Sequence, residues 1–194
     1  MARESRRRPF VFWSRASLEL AEPKRLFFAL WPEPSLQQSF FDTGKKLSNL
    51  CGGQRTRREN IHLTLAFLGA VETECVNRVI AVANQLQSPS FDLLFDRLGW
   101  WRQNQVAWAA SSETPRALLA LVKNLQLGLM HENFKFDERR FLPHVTLLRK
   151  AQCHDSALER PSLLWPVQQF VLVSSTLHQD GPHYAIVKRW NLEG

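Results

Sequence analysis

The sequence predicts an α+β fold built from two similar lobes. Segments with the apolar alternation of strands are interleaved with longer segments that carry helix start and stop signals. The order strand, helix, strand occurs twice, first at 25–31, 33–50 and 60–68 and again at 105–110, 114–131 and 143–149. This internal repeat of element order indicates two pseudo-symmetric lobes whose corresponding strands lie across a shared cleft.

The remaining chain predicts elements that complete these lobes. We expect a helix at 73–87, a strand at 91–98, a polar loop at 132–140 and an irregular stretch through Pro161 and Pro166. Two final strands at 168–178 and 183–190 flank the hairpin signal Asp180-Gly181. Residues 1–22 are rich in arginine and unpatterned, so they are predicted to form a flexible basic arm ahead of one domain at 23–194.

The composition favours an intracellular protein with a polyanionic partner. With 194 residues, 44% of them hydrophobic, the chain is long enough to bury a core, and no apolar run approaches the length of a membrane span. A net charge of +7 favours nucleic acid or a nucleotide as the partner. Cys51, Cys75 and Cys153 are odd in number and lack ligand spacing, so we expect reduced thiols and a cytoplasmic location.

Two short segments of one type are the candidates for chemistry. They are His62-Leu63-Thr64-Leu65 and His144-Val145-Thr146-Leu147. Because alternate side chains of a strand point to one face, each segment presents an imidazole and a hydroxyl on one side and two apolar anchors on the other. A single histidine in an apolar strand is more often a hydrogen-bonded core residue. Two histidines with matching threonines favour a functional pair.

Such a pair suits the hydrolysis of a phosphodiester. The unperturbed pKa of imidazole is about 6.5, so near neutral pH one histidine can be neutral while the other is protonated. The neutral ring removes a proton from attacking water, and the protonated ring delivers one to the leaving oxygen. Threonine hydroxyls can donate hydrogen bonds to the phosphate oxygens. The scheme requires no metal or other cofactor.

Two other kinds of site compete with this interpretation. Two histidines from separate strands could bind zinc, but neither motif has a carboxylate or thiolate at ligand spacing. A Cys-His nucleophile is the weaker alternative, because no cysteine lies in a recognisable activating context.

The segments Asn60-Ile61-His62-Leu63-Thr64-Leu65-Ala66-Phe67-Leu68-Gly69 and Phe141-Leu142-Pro143-His144-Val145-Thr146-Leu147-Leu148-Arg149 resemble the paired signatures of the 2H phosphoesterase superfamily. Within it, the chain is most similar to the bacterial and archaeal RNA 2',3'-cyclic phosphodiesterases, formerly called 2'-5' RNA ligases. The resemblance runs from about Lys24 to the C-terminus. It implies a bilobal α+β fold of antiparallel sheet, with helices outside and the two motifs in a central cleft.

The resemblance also implies the reaction and the roles of the site residues. A 2',3'-cyclic phosphate would be hydrolysed to a 2'-phosphomonoester, with His62 as the proton donor and His144 as the proton acceptor. The residues alone do not decide which histidine is the acid. Thr64 and Thr146 would hold the phosphate, and Arg149 follows the second motif as it does in the family. Strict alternation would turn Arg149 away from His144 unless the strand ends or bulges first.

Aromatic and basic residues near the motifs are candidates for contacts with RNA. Phe67 and Phe141 are the best candidates for stacking on a base, ahead of Trp100, Trp101 and Trp165, although core packing is the alternative for all of them. The clusters Arg55, Arg57, Arg58 and Arg139, Arg140 precede the two motifs, where they either line the cleft mouth or lie in solvated loops. His131, His154, His178 and His183 are assigned no chemistry.

The sequence is compatible with three hypotheses for the function. The first is the phosphodiesterase, acting as a monomer on RNA ends or small cyclic nucleotides, without a membrane. The second is the reverse reaction, which joins RNA halves through a 2'-5' linkage without ATP and would use the same acid-base pair. The third is a non-catalytic nucleotide- or RNA-binding module. Intact histidines in both motifs argue against the third hypothesis, because a binding module needs no titrating pair.

Overall fold

A computed structural model of the chain describes residues 22–153, 160–179 and 181–193. The helices are α1 (Pro34–Cys51), α2 (Val76–Asn84) and α3 (Arg116–His131). The strands are β1 (Lys24–Leu30), β2 (Gln54–Arg55), β3 (Leu63–Val71), β4 (Phe91–Phe95), β5 (Arg97–Trp101), β6 (Val106–Ala110), β7 (Val145–Arg149), β8 (Leu163–Val167), β9 (Gln169–His178) and β10 (Gly181–Asn191). Single turns of 3-10 helix lie at Arg58–Asn60 and Thr73–Cys75.

The main sheet consists of two antiparallel halves joined at one point. Its strand order is β10-β9-β1-β3-β7-β6-β5, with β2 paired to β7. Strands β3 and β7 meet through the pair Leu63 and Val145, whereas the other neighbours share longer ladders. The first half is therefore β10-β9-β1-β3, and the second is β7-β6-β5 with β2. Strands β4 and β8 form a separate two-stranded sheet.

The helices cover one face of the main sheet and leave the other face open. Helix α3 buries the stripe Leu118, Leu121, Val122, Leu125 and Leu129, the spacing of an amphipathic helix. It packs against α2 and β3, while α1 packs against β2, β7 and β8. Helix α1 follows a strand of the first half and α3 follows a strand of the second. Each therefore packs across onto the other half, and one main core joins both.

Most predicted elements are present, with two differences. The strand predicted at 91–98 divides near Asp96, because β4 leaves the main sheet to pair with β8 while β5 pairs with β6. The prediction of an irregular stretch through Pro161 and Pro166 was wrong, because residues 163–167 form β8. Pro166 pairs with Asp92 in a sheet of only two strands, where each strand has an open edge and a missing N–H is tolerated.

The expectation of reduced thiols was wrong for two of the three cysteines. Cys51 and Cys153 form a disulfide that links residues 102 positions apart, and Cys75 is free. The end of α1 lies against the segment after β7, where the Gln152 amide donates to the Cys51 carbonyl at 2.9 Å. Spacing along the chain cannot reveal a pair created by packing. The cytoplasmic location stays a prediction.

Some predictions fall outside the described residues. The arm predicted at 1–22 lies beyond them except for Glu22, as do His154 and Asp180. The strands on either side of the predicted hairpin, β9 and β10, do pair as antiparallel neighbours. Among the described residues, every helix is too short or too polar to cross a membrane.

Candidate active site

The junction of the two half-sheets brings the two motifs together. Leu63 pairs with Val145, and both side chains are fully buried. The residues next to this pair are His62 and Thr64 in one motif and His144 and Thr146 in the other, and all four line one cleft. All four polar side chains lie on the face that the helices leave open, so the two halves present a single polar site.

A bulge in each motif strand carries a fifth and a sixth residue to the same face. In β7, Thr146 pairs with Trp108 and Leu148 with Ala107, so Leu147 is an extra residue and the alternation shifts by one. Arg149 consequently points to the side of His144, in agreement with the exception allowed for a bulged strand.

The bulge in β3 has the same effect on Phe67. Thr64 pairs with Ala29 and Ala66 with Phe28, so Leu65 is the extra residue. Phe67 then shares the face of His62 and Thr64. The two motifs therefore extend to six positions with matching geometry, His-x-Thr-x-x-Phe and His-x-Thr-x-x-Arg.

These side chains line a cleft of about 570 Å³. Of the residues predicted for the site, the cleft brings together His62, Thr64, Phe67, His144, Thr146 and Arg149. Phe141 lies elsewhere, partly buried against the main core. Its predicted contact with substrate has no support from this placement and stays a prediction.

The two imidazole rings are oriented in the same way. His62 Nδ1 lies 2.7 Å from the Asn60 carbonyl oxygen, and His144 Nδ1 lies 2.7 Å from the Leu142 carbonyl oxygen. Because a carbonyl only accepts, each Nδ1 carries a proton and donates it. In the neutral ring Nε2 is then the basic nitrogen, and it remains available for chemistry. His62 Nε2 lies 3.1 Å from Thr64 Oγ1, which donates to it in this state.

Aromatic rings surround His62. Trp31 stacks on it with ring centres 5.3 Å apart and planes 8° apart, while Phe27 and Tyr184 approach to 5.0 and 5.4 Å. Burial among these rings lowers the pKa of His62 from 6.5 to about 4, although the bond to the Asn60 carbonyl opposes the change. The positive charges of Arg149 and His144 lower it further. His62 is therefore neutral at neutral pH in the empty site.

His144 has a less crowded environment. The edge of Trp101 contacts it, with ring centres 4.6 Å apart. Burial lowers the pKa of His144, again with a contribution from Arg149 and against the bond to the Leu142 carbonyl. The site thus disfavours the protonated form of both rings, and a bound anion would raise both pKa values.

The other residues considered for RNA contacts divide between cleft, surface and core. Arg55 and Arg57 line the cleft, whereas Arg58 donates to Gln38 at 3.3 Å on the surface and Arg139 pairs with Asp137. Trp165 is buried in the core, and Trp100 donates from Nε1 to the Ala151 carbonyl at 2.9 Å.

The sequence interpretation missed three residues around His62. They are Phe27, Trp31 and Tyr184. Phe27 and Trp31 are four residues apart, and this even separation places them on one face of the predicted first strand, a signal that was available. Only the pairing order β10-β9-β1-β3 shows that this face adjoins the first motif, and Tyr184 comes from the far end of the chain.

Comparison with known proteins agrees with the fold and identifies the family. Residues 30–108 match the family described as LigT-like phosphoesterase. The RNA 2',3'-cyclic phosphodiesterase of Escherichia coli (strain K12) is 30% identical over 175 residues, which are 89% of this chain and 99% of that protein. The RNA 2',3'-cyclic phosphodiesterase of Thermotoga maritima is 29% identical over 154 residues, 74% of this chain and 81% of that protein.

A solved structure of a relative has the same architecture. The crystal structure of Escherichia coli LigT complexed with 3'-AMP superposes with a TM-score of 0.78 at 30% sequence identity, covering 89% of this chain and 99% of that one. The α+β fold of antiparallel sheets and the paired motifs thus define a phosphoesterase of the two-histidine, or 2H, superfamily. Within that class, the chain belongs to the LigT-like phosphoesterase family.

Proposed function

We propose that this protein hydrolyses the 2',3'-cyclic phosphate at an RNA end to a 2'-phosphomonoester by acid-base catalysis with two histidines. The observation that carries the proposal is the matched orientation of the rings. Each Nδ1 donates to a backbone carbonyl at 2.7 Å, so Nε2 is the nitrogen of each ring that can exchange a proton with a ligand in the shared cleft. Relatives across bacteria and archaea are RNA 2',3'-cyclic phosphodiesterases, which supports the same assignment.

In the proposed reaction, water attacks phosphorus as the bond to the ribose 3' oxygen breaks. His144 Nε2 accepts the proton that the water loses. His62 Nε2 donates a proton to the departing 3' oxygen, which becomes a hydroxyl. The phosphate remains on the 2' oxygen. After the reaction His144 is protonated and His62 is neutral. Proton exchange with solvent restores the starting protonation states.

Three hydrogen-bond donors are proposed to stabilise the negative charge on the phosphate oxygens. Thr64 and Thr146 come from opposite halves of the sheet, and both line the cleft together with the two histidines. Arg149 has a planar fork of N–H groups that suits two phosphate oxygens. Donors that are positioned before substrate arrives need no rearrangement as charge develops, which favours the transition state.

The low pKa of His62 has a consequence for its role as the donor. With a pKa of about 4, the ring is almost entirely neutral at pH 7 in the empty site, so it must gain a proton before it can give one. A cyclic phosphate carries one negative charge, and an anion within about 4–6 Å favours the protonated ring. We infer that substrate binding raises the pKa of His62 and so creates the acid.

Phe67 is proposed to receive the base of the terminal nucleotide. The Arg25 guanidinium lies over its ring, 4.8 Å from the centroid. The Phe67 ring offers a flat surface to a base, and such stacking tolerates any base identity. RNA ends and small cyclic nucleotides both fit this description. The complex of the relative with 3'-AMP supports a nucleotide as the ligand. The monomeric state stays a prediction.

Product identification tests the proposal. Purified protein is incubated with a short RNA that ends in a 2',3'-cyclic phosphate, and the products are separated by chromatography against 2'- and 3'-phosphate standards. We expect the 2'-phosphomonoester. A second reaction includes an RNA with a 5'-hydroxyl, and a joined 2'-5' product as the major species would favour ligation. An unchanged substrate in both reactions would refute catalysis and favour a binding module.

A further inference from the structure

A row of three polar side chains crosses the floor of the cleft, from Tyr184 beside His62 to Arg25 over Phe67. Arg25 of β1 pairs with Ser175 of β9, and Ser175 pairs in turn with Tyr184 of β10. All three residues line the cleft. Neighbouring positions in such a row have Cβ atoms about 4.5–5.5 Å apart. The three residues are therefore neighbours in the sheet, with the Arg25 guanidinium over Phe67 and the Tyr184 ring against His62.

The hydrogen-bonding groups of this row are unused in the described part of the chain. The Arg25 guanidinium contacts the face of Phe67, and neither it nor the hydroxyls of Ser175 and Tyr184 has a hydrogen bond or ion pair there. None of the described residues that line the cleft is Asp or Glu. Burial raises the pKa of Tyr184, so its phenol keeps the proton it can donate. The row is suited to an anion.

Arg25, at one end of the row, is displaced from the reaction centre, whereas the Tyr184 ring at the other end lies 5.4 Å from the His62 ring. Arg25 and Phe27 are two residues apart on the cleft face of β1, and two residues of a strand span about 7 Å. The Phe27 ring lies 5.0 Å from the His62 ring, so Arg25 is one step further along, over Phe67. Thr64, Thr146 and Arg149 already suffice for the single charge of a cyclic phosphate. A second charged group of the ligand is therefore the natural partner of Arg25.

We propose that Arg25 and Ser175 form a second phosphate subsite, which binds the phosphate on the 5' side of the terminal nucleotide. The inference rests on the proposed function. In a ribose, the 5' carbon projects from the side of the ring opposite the 2' and 3' oxygens. With the cyclic phosphate at the histidines and the base at Phe67, the 5' phosphate extends away from the junction, toward Arg25. The enzyme consequently prefers RNA, or 5'-phosphorylated nucleotides, over a nucleoside cyclic phosphate.

Paired substrates that differ only at the 5' position test the subsite. They are adenosine 2',3'-cyclic phosphate and the same compound with a 5'-phosphate. For the unmodified protein we expect kcat/KM to be at least about tenfold higher with the 5'-phosphate, the usual effect of a hydrogen bond to a charged group. Arg25→Gln should bring the ratio close to one, and Ser175→Ala should lower it by a smaller factor.

Two matched variants separate the subsite from other causes. Arg116→Gln removes an exposed arginine at the start of α3 and should leave the ratio unchanged. Phe67→Leu keeps an apolar side chain beneath the Arg25 guanidinium but removes the aromatic surface for the base, so it should lower kcat/KM for both substrates and preserve the ratio. If Arg25 served only to stack on the base, Arg25→Gln would likewise lower kcat/KM for both substrates and leave the ratio unchanged. That outcome would overturn the proposal, as would a ratio near one in the unmodified protein.

A binding measurement makes the test independent of turnover. Calorimetry with adenosine 2'-phosphate and adenosine 2',5'-bisphosphate compares the same two positions without hydrolysis. At least about tenfold tighter binding of the bisphosphate, lost in Arg25→Gln, would support the subsite even if neither cyclic substrate were hydrolysed. Failure of hydrolysis alone would refute the proposed function, and equal binding of the two ligands would refute the subsite. Should Arg25→Gln fail to fold, Ser175→Ala carries the comparison.

Discussion

Burial of His62 among aromatic rings should make the stability of the protein depend on pH through this one side chain. Its pKa is about 4 in the folded protein and 6.5 in the reference state. Below pH 6.5 the unfolded chain takes up a proton at this histidine while the folded chain does not. The folded state therefore loses stability as the pH falls from 6.5 toward 4. The perturbation that removes this dependence is His62→Asn.

The size of the effect follows from the two pKa values. At about 1.4 kcal/mol for each tenfold change in the acid constant, a pKa lowered from 6.5 to about 4 corresponds to a total of about 3 kcal/mol. About 2 kcal/mol of this is lost by pH 5.0. Between pH 7.5 and pH 5.0 the unmodified protein should lose about 2 kcal/mol more unfolding free energy than His62→Asn does.

Urea unfolding at the two pH values, followed by tryptophan fluorescence in phosphate-free buffer, measures the difference. His131→Asn removes an exposed imidazole at the end of α3 and serves as the matched control. A proton NMR titration of the His62 ring gives a direct check, with a midpoint expected near pH 4. Equal losses of stability in the unmodified protein and His62→Asn, or a midpoint at 6.5 or above, would show that the aromatic surroundings do not exclude the charge.

Three further predictions concern catalysis. His62→Ala and His144→Ala should each lower kcat for a 2',3'-cyclic phosphate by at least about a hundredfold, while His131→Ala should not, and full activity in either motif variant would contradict the roles. Burial lowers the pKa of both histidines in the empty site and a bound anion raises it, so the bell-shaped pH profile of kcat should lie at higher pH than that of kcat/KM. Coincident profiles would refute the inferred gain of a proton on binding. Dialysis against EDTA should leave kcat unchanged, because both proton transfers use side chains, and a loss restored by a divalent ion would indicate a metal.

The elements of the fold and the polar face of each motif could be predicted from local patterns. Alternation in the motif strands places His62 beside Thr64 and His144 beside Thr146, and this needs no knowledge of neighbouring strands. The strict alternation of side chains between the two faces of the strand ends after Thr64 and Thr146. The bulges at Leu65 and Leu147 decide where Phe67 and Arg149 point, and a bulge is defined by the partner strand. The two consecutive apolar residues before each of these positions are the trace that a bulge leaves in the sequence.

Features created by distant packing could not be predicted. The aromatic surroundings of His62 combine Phe27 and Trp31 from the start of the domain with Tyr184 from its last strand. The disulfide joins the end of α1 to the segment after β7. Both depend on which strands become neighbours, and this order is not encoded in any single segment. Apart from Phe141, the predicted site residues lie in the cleft because each belongs to a motif strand.

The proposed mechanism needs an acid and a base on opposite sides of one phosphate, and the single pair that joins the half-sheets explains how a small domain can bring two histidines into one cleft. Every second residue of one flat strand points to the same face, so a single strand cannot place two side chains on opposite sides of a ligand. Two antiparallel strands that meet only at their first residues, Leu63 and Val145, lead away in opposite directions, and each brings its own histidine to the meeting point. Helices α1 and α3 each pack across onto the other half. The separation of the two rings is therefore set by the main core beneath the sheet, and substitutions deep in that core that move one half should impair catalysis before they unfold the protein.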